Sequence, residues 1–224
     1  MTPTDLRAER ADARHANAPR LVLASGSPRR RELMERLGLA FEVLAPDIDE
    51  SPLRGESSEA LVLRLAQTKA TAIAHVRPDA LVVGSDTTVV VDGDVLGKPA
   101  DPDDAVRMLM RLQGRDHRVD TGIAVVAPPA DSGRAARVAS SVVGVGVRFR
   151  AFDESFARAY VQTREPLDKA GAYGIQGYGS ALVERIEGDF FAVMGLSVVR
   201  LLAHLEELGW TYHFDRGLVP GGSR

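Results

Sequence analysis

Apolar and polar positions divide the chain into alternating strand-like and helix-like segments. Leu21 to Ala24 is a short apolar run, followed by the small-residue turn Ser25-Gly26-Ser27 and then by Pro28-Arg29-Arg30-Arg31-Glu32-Leu33. Such a run predicts a buried strand. Pro28 predicts the first helical position, with the Ser27 hydroxyl capping the free amides behind it. The helix is expected from about Arg29 to Leu37, stopped by Gly38, and Phe41 to Leu44 predicts a second short strand. From Ser57 or Ser58 to about Ala74, Leu61, Val62, Leu65, Ala66, Ala70 and Ile73 recur at helical spacing, with Lys69 inside their stripe. Ala80 to Val83 and Thr87 to Val91 are strand-like, interrupted by Gly84-Ser85-Asp86, and Asp92-Gly93 predicts a hairpin returning through Val95 and Leu96. Asp101-Pro102 with Asp104 opens another helix that ends by Gly114.

In the second half, Arg118 to Val126 and Val138 to Phe149 predict two strands joined by a flexible hairpin loop, Ala127 to Ala135. Val143, Val145, Val147 and Phe149 alternate with Gly144, Gly146 and Arg148, a half-buried, edge-like pattern. Asp153 to Val161 reads as a short helix, and Glu165 to Gly177 as a long ordered loop dense in glycine and charge, of the kind that usually carries function. Ala181 to Ile186 makes a last strand and Leu196 to Leu208 a closing amphipathic helix. Strands and helices intermix with at least two hairpins, which predicts an α/β fold with a mixed sheet covered by helices. Residues 1–18 lack the apolar core of a secretory signal and read as a flexible extension, and residues 213–224 as a flexible tail.

Composition narrows the classes. A chain of 224 residues suits one domain, here residues 19–212, or two lobes around a cleft. Its apolar content of 45% and charged content of 26% are those of a soluble globular protein. A net charge of −3 gives no reason to expect nucleic acid or an acidic membrane as partner. The absence of cysteine excludes thiolate metal sites and Cys nucleophiles and fits a reducing cytoplasm.

The candidate chemistry begins where local rules are broken. A helix start prefers acids, yet Arg29, Arg30 and Arg31 occupy this one. Either they form a solvated basic face, or an anion sits at the helix mouth on free amides, serine hydroxyls and guanidinium forks. The loop is not a Walker A sequence, since no Gly-Lys-Ser/Thr follows, nor a dinucleotide fingerprint, since Gly26 stands alone. Lys69 is either a snorkelling stem or an ammonium that reaches a phosphate. Asp86 is either a carboxylate satisfied at a bulge or a functional group in a strand that disfavours it. Together with Lys98 and Lys169, and with Asp47, Asp49, Glu50 and Asp168, these residues describe a site for a polyphosphate held with a hard divalent cation. No HxH or HExxH spacing supports zinc, and Ser25 and Ser27 lack a nearby histidine for nucleophilic catalysis. A nucleotide-binding regulator without turnover would use the same cradle.

Four ordered motifs carry a resemblance: Ala24-Ser25-Gly26-Ser27-Pro28-Arg29-Arg30, Asp86-Thr87 with Gly97-Lys98-Pro99, Gly114 to Gly122, and Glu165 to Gly177. Over about Leu21 to Gly209 the chain resembles the Maf family. The resemblance implies a nucleoside triphosphate pyrophosphatase that cleaves between the α and β phosphates. It also implies a two-lobed fold like that of the inosine triphosphatases, Mg²⁺ or Mn²⁺, and a homodimer. By position, Asp86 matches the proton acceptor, Ser25, Arg29 and Arg30 the phosphate-binding turn, and Lys69 and Lys98 substrate-facing lysines; Ser27 and Lys169, from the pattern of the residues themselves, are expected to bind substrate beside them. Glu50 matches an acid near the metal, and Asp86 is expected to share in holding that ion. Arg29, Thr87 and Gln176 match positions that separate substrate classes, and the loop to Gly177 resembles the branch acting on dTTP and UTP. Gln176 is expected to pair with the pyrimidine edge. The extension through Ala18 and the loop Pro128 to Arg134 exceed the usual length, Ala192-Val193 replaces a frequent Asn-Val, and Ser197, where proline is common, is expected to loosen the last helix.

Overall fold

A computed structural model describes residues 18–129 and 135–221. The expected extension 1–18, apart from Ala18, and the centre of the long hairpin connection lie outside the described residues. In chain order the elements are β1 (Leu21–Leu23), α1 (Pro28–Arg36), β2 (Glu42–Val43), α2 (Ser58–Val76), β3 (Leu81–Val91), β4 (Asp94–Leu96) and α3 (Pro102–Leu112). There follow β5 (Asp116–Ala127), β6 (Arg137–Phe149), α4 (Glu154–Gln162), β7 (Val183–Glu187), α5 (Phe190–Met194), α6 (Val198–Glu207), β8 (Trp210–His213) and β9 (Gly217–Pro220). The loop after α4 carries three short 3₁₀ turns, at Glu165–Asp168, Ala170–Ala172 and Gly177–Ala181.

Seven strands form one mixed sheet in the order β2-β1-β3-β5-β6-β7, with β4 paired to β3. β1 is parallel to β2 and β3, and all other pairs are antiparallel. The long strands serve two cores. At one end, Leu23, Val83, Ile123 and Val125 pack with α1 and α6 on one face, while Val22, Val82 and Ala124 meet Ala66, Ala70 and Ile73 of α2 on the other. At the other end, Val89, Val91, Val119, Val145 and Phe149 pack against α3 and α4. Between the cores lies a polar register, Asp86 opposite Gly122, Thr87 opposite Thr121 and Thr88 opposite Asp120. This is the expected two-lobed plan, and the cleft opens at the polar break.

Two glycines let α2 lie flush on the sheet. A Cβ on Gly122 would come within 2.1 Å of the Val62 carbonyl oxygen, and one on Gly84 within 2.3 Å of that of Ala66. Fully buried Asp120 fixes the first turn of the same helix by accepting from the Ser58 hydroxyl (2.6 Å) and from Arg118 Nε (2.5 Å).

Several expectations need correction. Gly84-Ser85-Asp86 does not interrupt a strand: β3 runs unbroken through it, because Ser85 and Asp86 find partners for their side chains while their backbones stay in the ladder. The region 213–224 is not a loose tail as far as Gly221. β9 returns on β8, Leu218 is buried in the core, and Tyr212 donates to the Leu37 carbonyl (2.8 Å). Residues 222–224 lie outside the described residues. β6 is not an edge throughout, since β7 pairs with its last residues, Gly146 to Phe149. Nor does Ser197 loosen α6: its hydroxyl accepts from the Arg200 amide (3.3 Å) and donates to Asp189 (2.6 Å), so it caps the helix and ties it to the start of α5.

His117 of β5 packs edge-on to Phe149 and Tyr173, with Nε2 2.8 Å from the Tyr173 hydroxyl. Burial pulls its pKa down from 6.5 to about 4, so the folded chain keeps it neutral where the unfolded chain protonates. It therefore lowers stability as pH falls from 6.5 to about 4, with no further loss below, by about 3 kcal/mol in all. In His117→Phe, the fall of Tm over that window should be shallower than in the parent. Parallel curves would contradict the assignment.

Candidate active site

The site is built from the turn before α1 outward. Ser27 occupies the cap position but makes no side-chain cap bond, contrary to expectation. The turn folds inward instead: the Ser27 amide donates to the buried Ser25 hydroxyl (3.2 Å), and the Ser27 hydroxyl is left at the cleft wall. Pro28 has no amide, and the Arg31 amide donates to the Ser27 carbonyl (3.2 Å). The Arg29 and Arg30 amides are those that such a helix start leaves for an anion. Of the three arginines, Arg31 turns to solvent and pairs with Glu35 (2.7 Å).

Arg30 is held as a rigid fork. Its Nε donates to the Gly195 carbonyl (2.8 Å), Nη1 to Ser25 Oγ (3.0 Å) and Nη2 to Thr87 Oγ1 (3.3 Å). Burial pulls its pKa below the ordinary value, opposed by the charges of Asp86 and Glu50. Thr87 Oγ1 also lies 3.0 Å from Thr121 Oγ1, and Thr121 donates to the Ala192 carbonyl (2.8 Å). The Ser85 hydroxyl is shared between the carbonyls of Gly122 (2.7 Å) and Gly195 (2.8 Å). The segment from Ala192 to Gly195 is thus pinned to the polar centre of the sheet.

Opposite the fork, the Lys69 ammonium lies 2.6 Å from Asp86 Oδ1 and 2.8 Å from Glu50 Oε1. Lys69 and Asp86 are largely buried, while Glu50 is half exposed. Burial would raise the Glu50 carboxyl, but the Lys69 hydrogen bond and the charges of Lys69, Lys98 and Arg30 outweigh it and hold the pKa below its usual value. The Glu50 loop is clamped to α2 by Arg64, which bonds Glu56 through two nitrogens (2.6 and 2.7 Å) and the Ser51 carbonyl (3.1 Å). The hydrogen bond from Arg64 and that from the Leu53 amide hold Glu56 at about 2.

The third wall is the loop after α4. Lys169 donates to Asp168 (2.6 Å) and to the Glu165 carbonyl, and Asp168 also lies 3.6 Å from Arg29 across the mouth. Burial works to raise the Asp168 carboxyl, yet Lys169 and Arg29 hold it below its usual range. These walls enclose a cleft of about 720 Å³. Its cationic lining is Arg29 and Arg30 at the start of α1 with Lys69, Lys98 and Lys169, and its carboxylates are Glu50, Asp86 and Asp168.

Residues 20–208 match the family described as Maf-like protein. The chain belongs to the Maf family. It is similar to a dTTP/UTP pyrophosphatase of Symbiobacterium thermophilum, 46% identical over 190 residues, covering 85% of this chain and 94% of that one. It is 51% identical over 182 residues to a protein of the same name from Moorella thermoacetica, covering 81% and 91%. Among solved structures, a Ham1 protein of Staphylococcus aureus aligns at 14% identity and a TM-score of 0.39, covering 73% of this chain and 79% of that chain, too slight a likeness to bear on the fold.

Every site residue expected from the Maf resemblance lines the cleft except Gln176. Gln176 is half-buried, one residue beyond the lining, where an extended backbone (φ −98°, ψ 174°) turns successive side chains to opposite sides. Asp47 and Asp49 also lie outside the lining, and Asp49 accepts from the Ser51 amide (2.9 Å). Sequence reasoning missed Ser85, Thr121 and Arg64. Thr121 stood inside a quoted motif and Ser85 beside Asp86, but their acceptors are main-chain carbonyls, which no residue type reveals.

Lys69 answers two carboxylates, so its loss and the loss of one acid are unequal. Lys69→Met leaves both acids unpaired and should lower stability by about 3 kcal/mol or more. Asp86→Asn leaves Lys69 with Glu50 and should cost distinctly less. Urea unfolding of both variants decides this, and the reverse order would contradict the shared pairing.

Proposed function

We propose that the chain is a nucleoside triphosphate pyrophosphatase acting on dTTP and UTP, releasing the monophosphate and pyrophosphate. The observation that carries the reading is the Lys69-bound Asp86 facing, across one cleft, the amide-rich start of α1 and the Arg30 fork. The names of the relatives, dTTP/UTP pyrophosphatases at 41–51% identity, agree with it.

In this reading the helix mouth, Ser25, Ser27, Arg29 and Arg30 hold phosphate oxygens, with Lys98 and Lys169 adding positive charge from the other walls. Asp86 orients a water and accepts its proton. The water oxygen forms a bond to the α phosphorus, the bridging bond between that phosphorus and the β-phosphate oxygen breaks, and pyrophosphate leaves with the bonding pair. Lys69 holds Asp86 aimed through their 2.6 Å hydrogen bond, and Arg30, already fixed at three points, need not reorganise as charge moves.

The donor set fits a hard divalent cation that arrives with the substrate. Among the described residues no group of three or more His, Cys, Asp or Glu side chains is gathered for a metal. Mg²⁺ or Mn²⁺ would therefore rest on Glu50 and Asp86, completed by phosphate oxygens and water, a common arrangement for Mg²⁺ at nucleotides. Such an ion supplies neutralisation of phosphate charge when bound.

Pyrimidine choice belongs to the loop wall of Tyr173, Gly174 and Ile175, with Thr87 and Arg29 fixing the phosphate side. Gln176 lies outside that wall, so its amide has no part in this reading of the base. A homodimer and a cytoplasmic setting complete the proposal, supported by the family resemblance and by the absence of cysteine. Among the described residues no helix is long and apolar enough to cross a membrane.

Asp86→Asn should reduce kcat for dTTP by about 100-fold or more while nucleotide binding persists, as followed by pyrophosphate release and calorimetry. Turnover close to that of the parent would remove Asp86 from the chemistry.

A further inference from the structure

Glu165 and Tyr160 have no part in the chemistry above, yet they organise the loop that walls the cleft. Glu165 Oε1 accepts from the Tyr160 hydroxyl (2.9 Å) and the Gly179 amide (3.0 Å), and Oε2 from the Tyr178 amide (2.9 Å). The Tyr160 hydroxyl in turn accepts from the Gly174 amide (3.1 Å). Tyr160 is buried at the end of α4, and burial raises its phenol, so it remains a protonated donor to the carboxylate. The loop closes on this pair with no spare room. A Cβ on Gly179 would lie 2.0 Å from the Gly174 carbonyl oxygen and 2.7 Å from the Tyr160 hydroxyl, and one on Gly177 would lie 2.4 Å from Glu165 Oε2. Gly177 also has φ +61°, which favours glycine on its own account.

The loop so tied carries Lys169, Tyr173, Gly174 and Ile175 to the cleft. In the nucleotide reading the phosphates rest at the start of α1, which meets this loop at the Arg29–Asp168 pair (3.6 Å), and the base turns toward the remaining surface. We propose that Tyr160 and Glu165 are a positioning pair for base selection, fixing through the Gly174, Tyr178 and Gly179 amides the shape of the wall against which the base is read. This rests on the nucleotide reading given above. The pair acts through the loop and touches no reacting atom, so its loss should appear in the preference among nucleotides and in KM more than in kcat. A site shaped around polar edges discriminates through groups left unpaired by the wrong base, and a relaxed wall forfeits that penalty.

The test compares the full-length parent with Tyr160→Phe, which removes one hydroxyl and little volume, and with Glu165→Gln as a second variant should the first fail to fold. The measurements are kcat and KM for dTTP, UTP, ATP and GTP, with affinities for non-hydrolysable α,β-imido analogues of dTTP and GTP. Expected are a fall of about tenfold in the dTTP:GTP ratio of kcat/KM, carried by KM, a parallel fall in the analogue affinity ratio, and faster amide exchange at Gly174 and Gly179. Ratios within about twofold of the parent in both assays would overturn the proposal while leaving the pyrophosphatase reading intact. A parent that turns over no triphosphate would overturn that reading instead, and a shifted analogue ratio would still support the role of the pair. A parent with no preference in either assay would overturn the pair's role outright.

Discussion

The structure depends on how closely α2 approaches the centre of the sheet. Lys69 reaches Asp86 because nothing larger than hydrogen stands at Gly84 and Gly122, where the helix carbonyls of Ala66 and Val62 press on the strands. Lys69 is a buried cation in an apolar stripe, and two carboxylates offset its desolvation. One of them, Asp86, lies in the ladder of β3; the other, Glu50, hangs from a loop that Arg64 clamps to the same helix. Packing, charge and the acid of the site are therefore one arrangement, and loosening the helix would release all three.

A second set of bonds fixes the facing wall. Arg30 joins the α1 turn, β3 and the Gly195 carbonyl, while Ser85 and Thr121 hold the segment from Ala192 to Gly195 from beneath. These partners are mostly neutral, so the guanidinium is oriented without being cancelled, and its charge stays available to an anion in the cleft. The two cores on either side of the polar register hold the lobes apart at the point where these bonds cross. Buried networks of this kind are stable only when nearly every member is satisfied, which favours a single geometry over several.

Much of this was legible in the chain. The helical stripe of α2, the Asp92-Gly93 hairpin and the capped start of α3 came out as expected, because spacing and turn chemistry act locally. The conflicts at Arg29–Arg30, Lys69 and Asp86 pointed to the site, since groups that violate local preference need distant partners, and here those partners are one another. What was not legible involved the backbone as partner or tertiary burial. Ser27 makes no side-chain cap bond, and it is the Ser25 hydroxyl that takes the Ser27 amide. Ser85 and Asp86 stayed in an unbroken strand because Gly122, Gly195 and Lys69 receive their side chains. Gln176 fell outside the cleft lining by one residue of register, and β9 formed because Leu218 is buried beneath a sheet the local sequence does not mention.

The central claim is that the acid paired with Lys69 readies water against the innermost phosphorus of a nucleotide whose outer phosphates rest on the α1 mouth. Single-turnover hydrolysis of dTTP in ¹⁸O-water, with both products weighed by mass spectrometry, tests it most directly. The account predicts one heavy oxygen in the thymidine monophosphate and none in the pyrophosphate. Label in the pyrophosphate, or release of single phosphate, would mean that the water attacks elsewhere and that the cleft does not hold its substrate in this way.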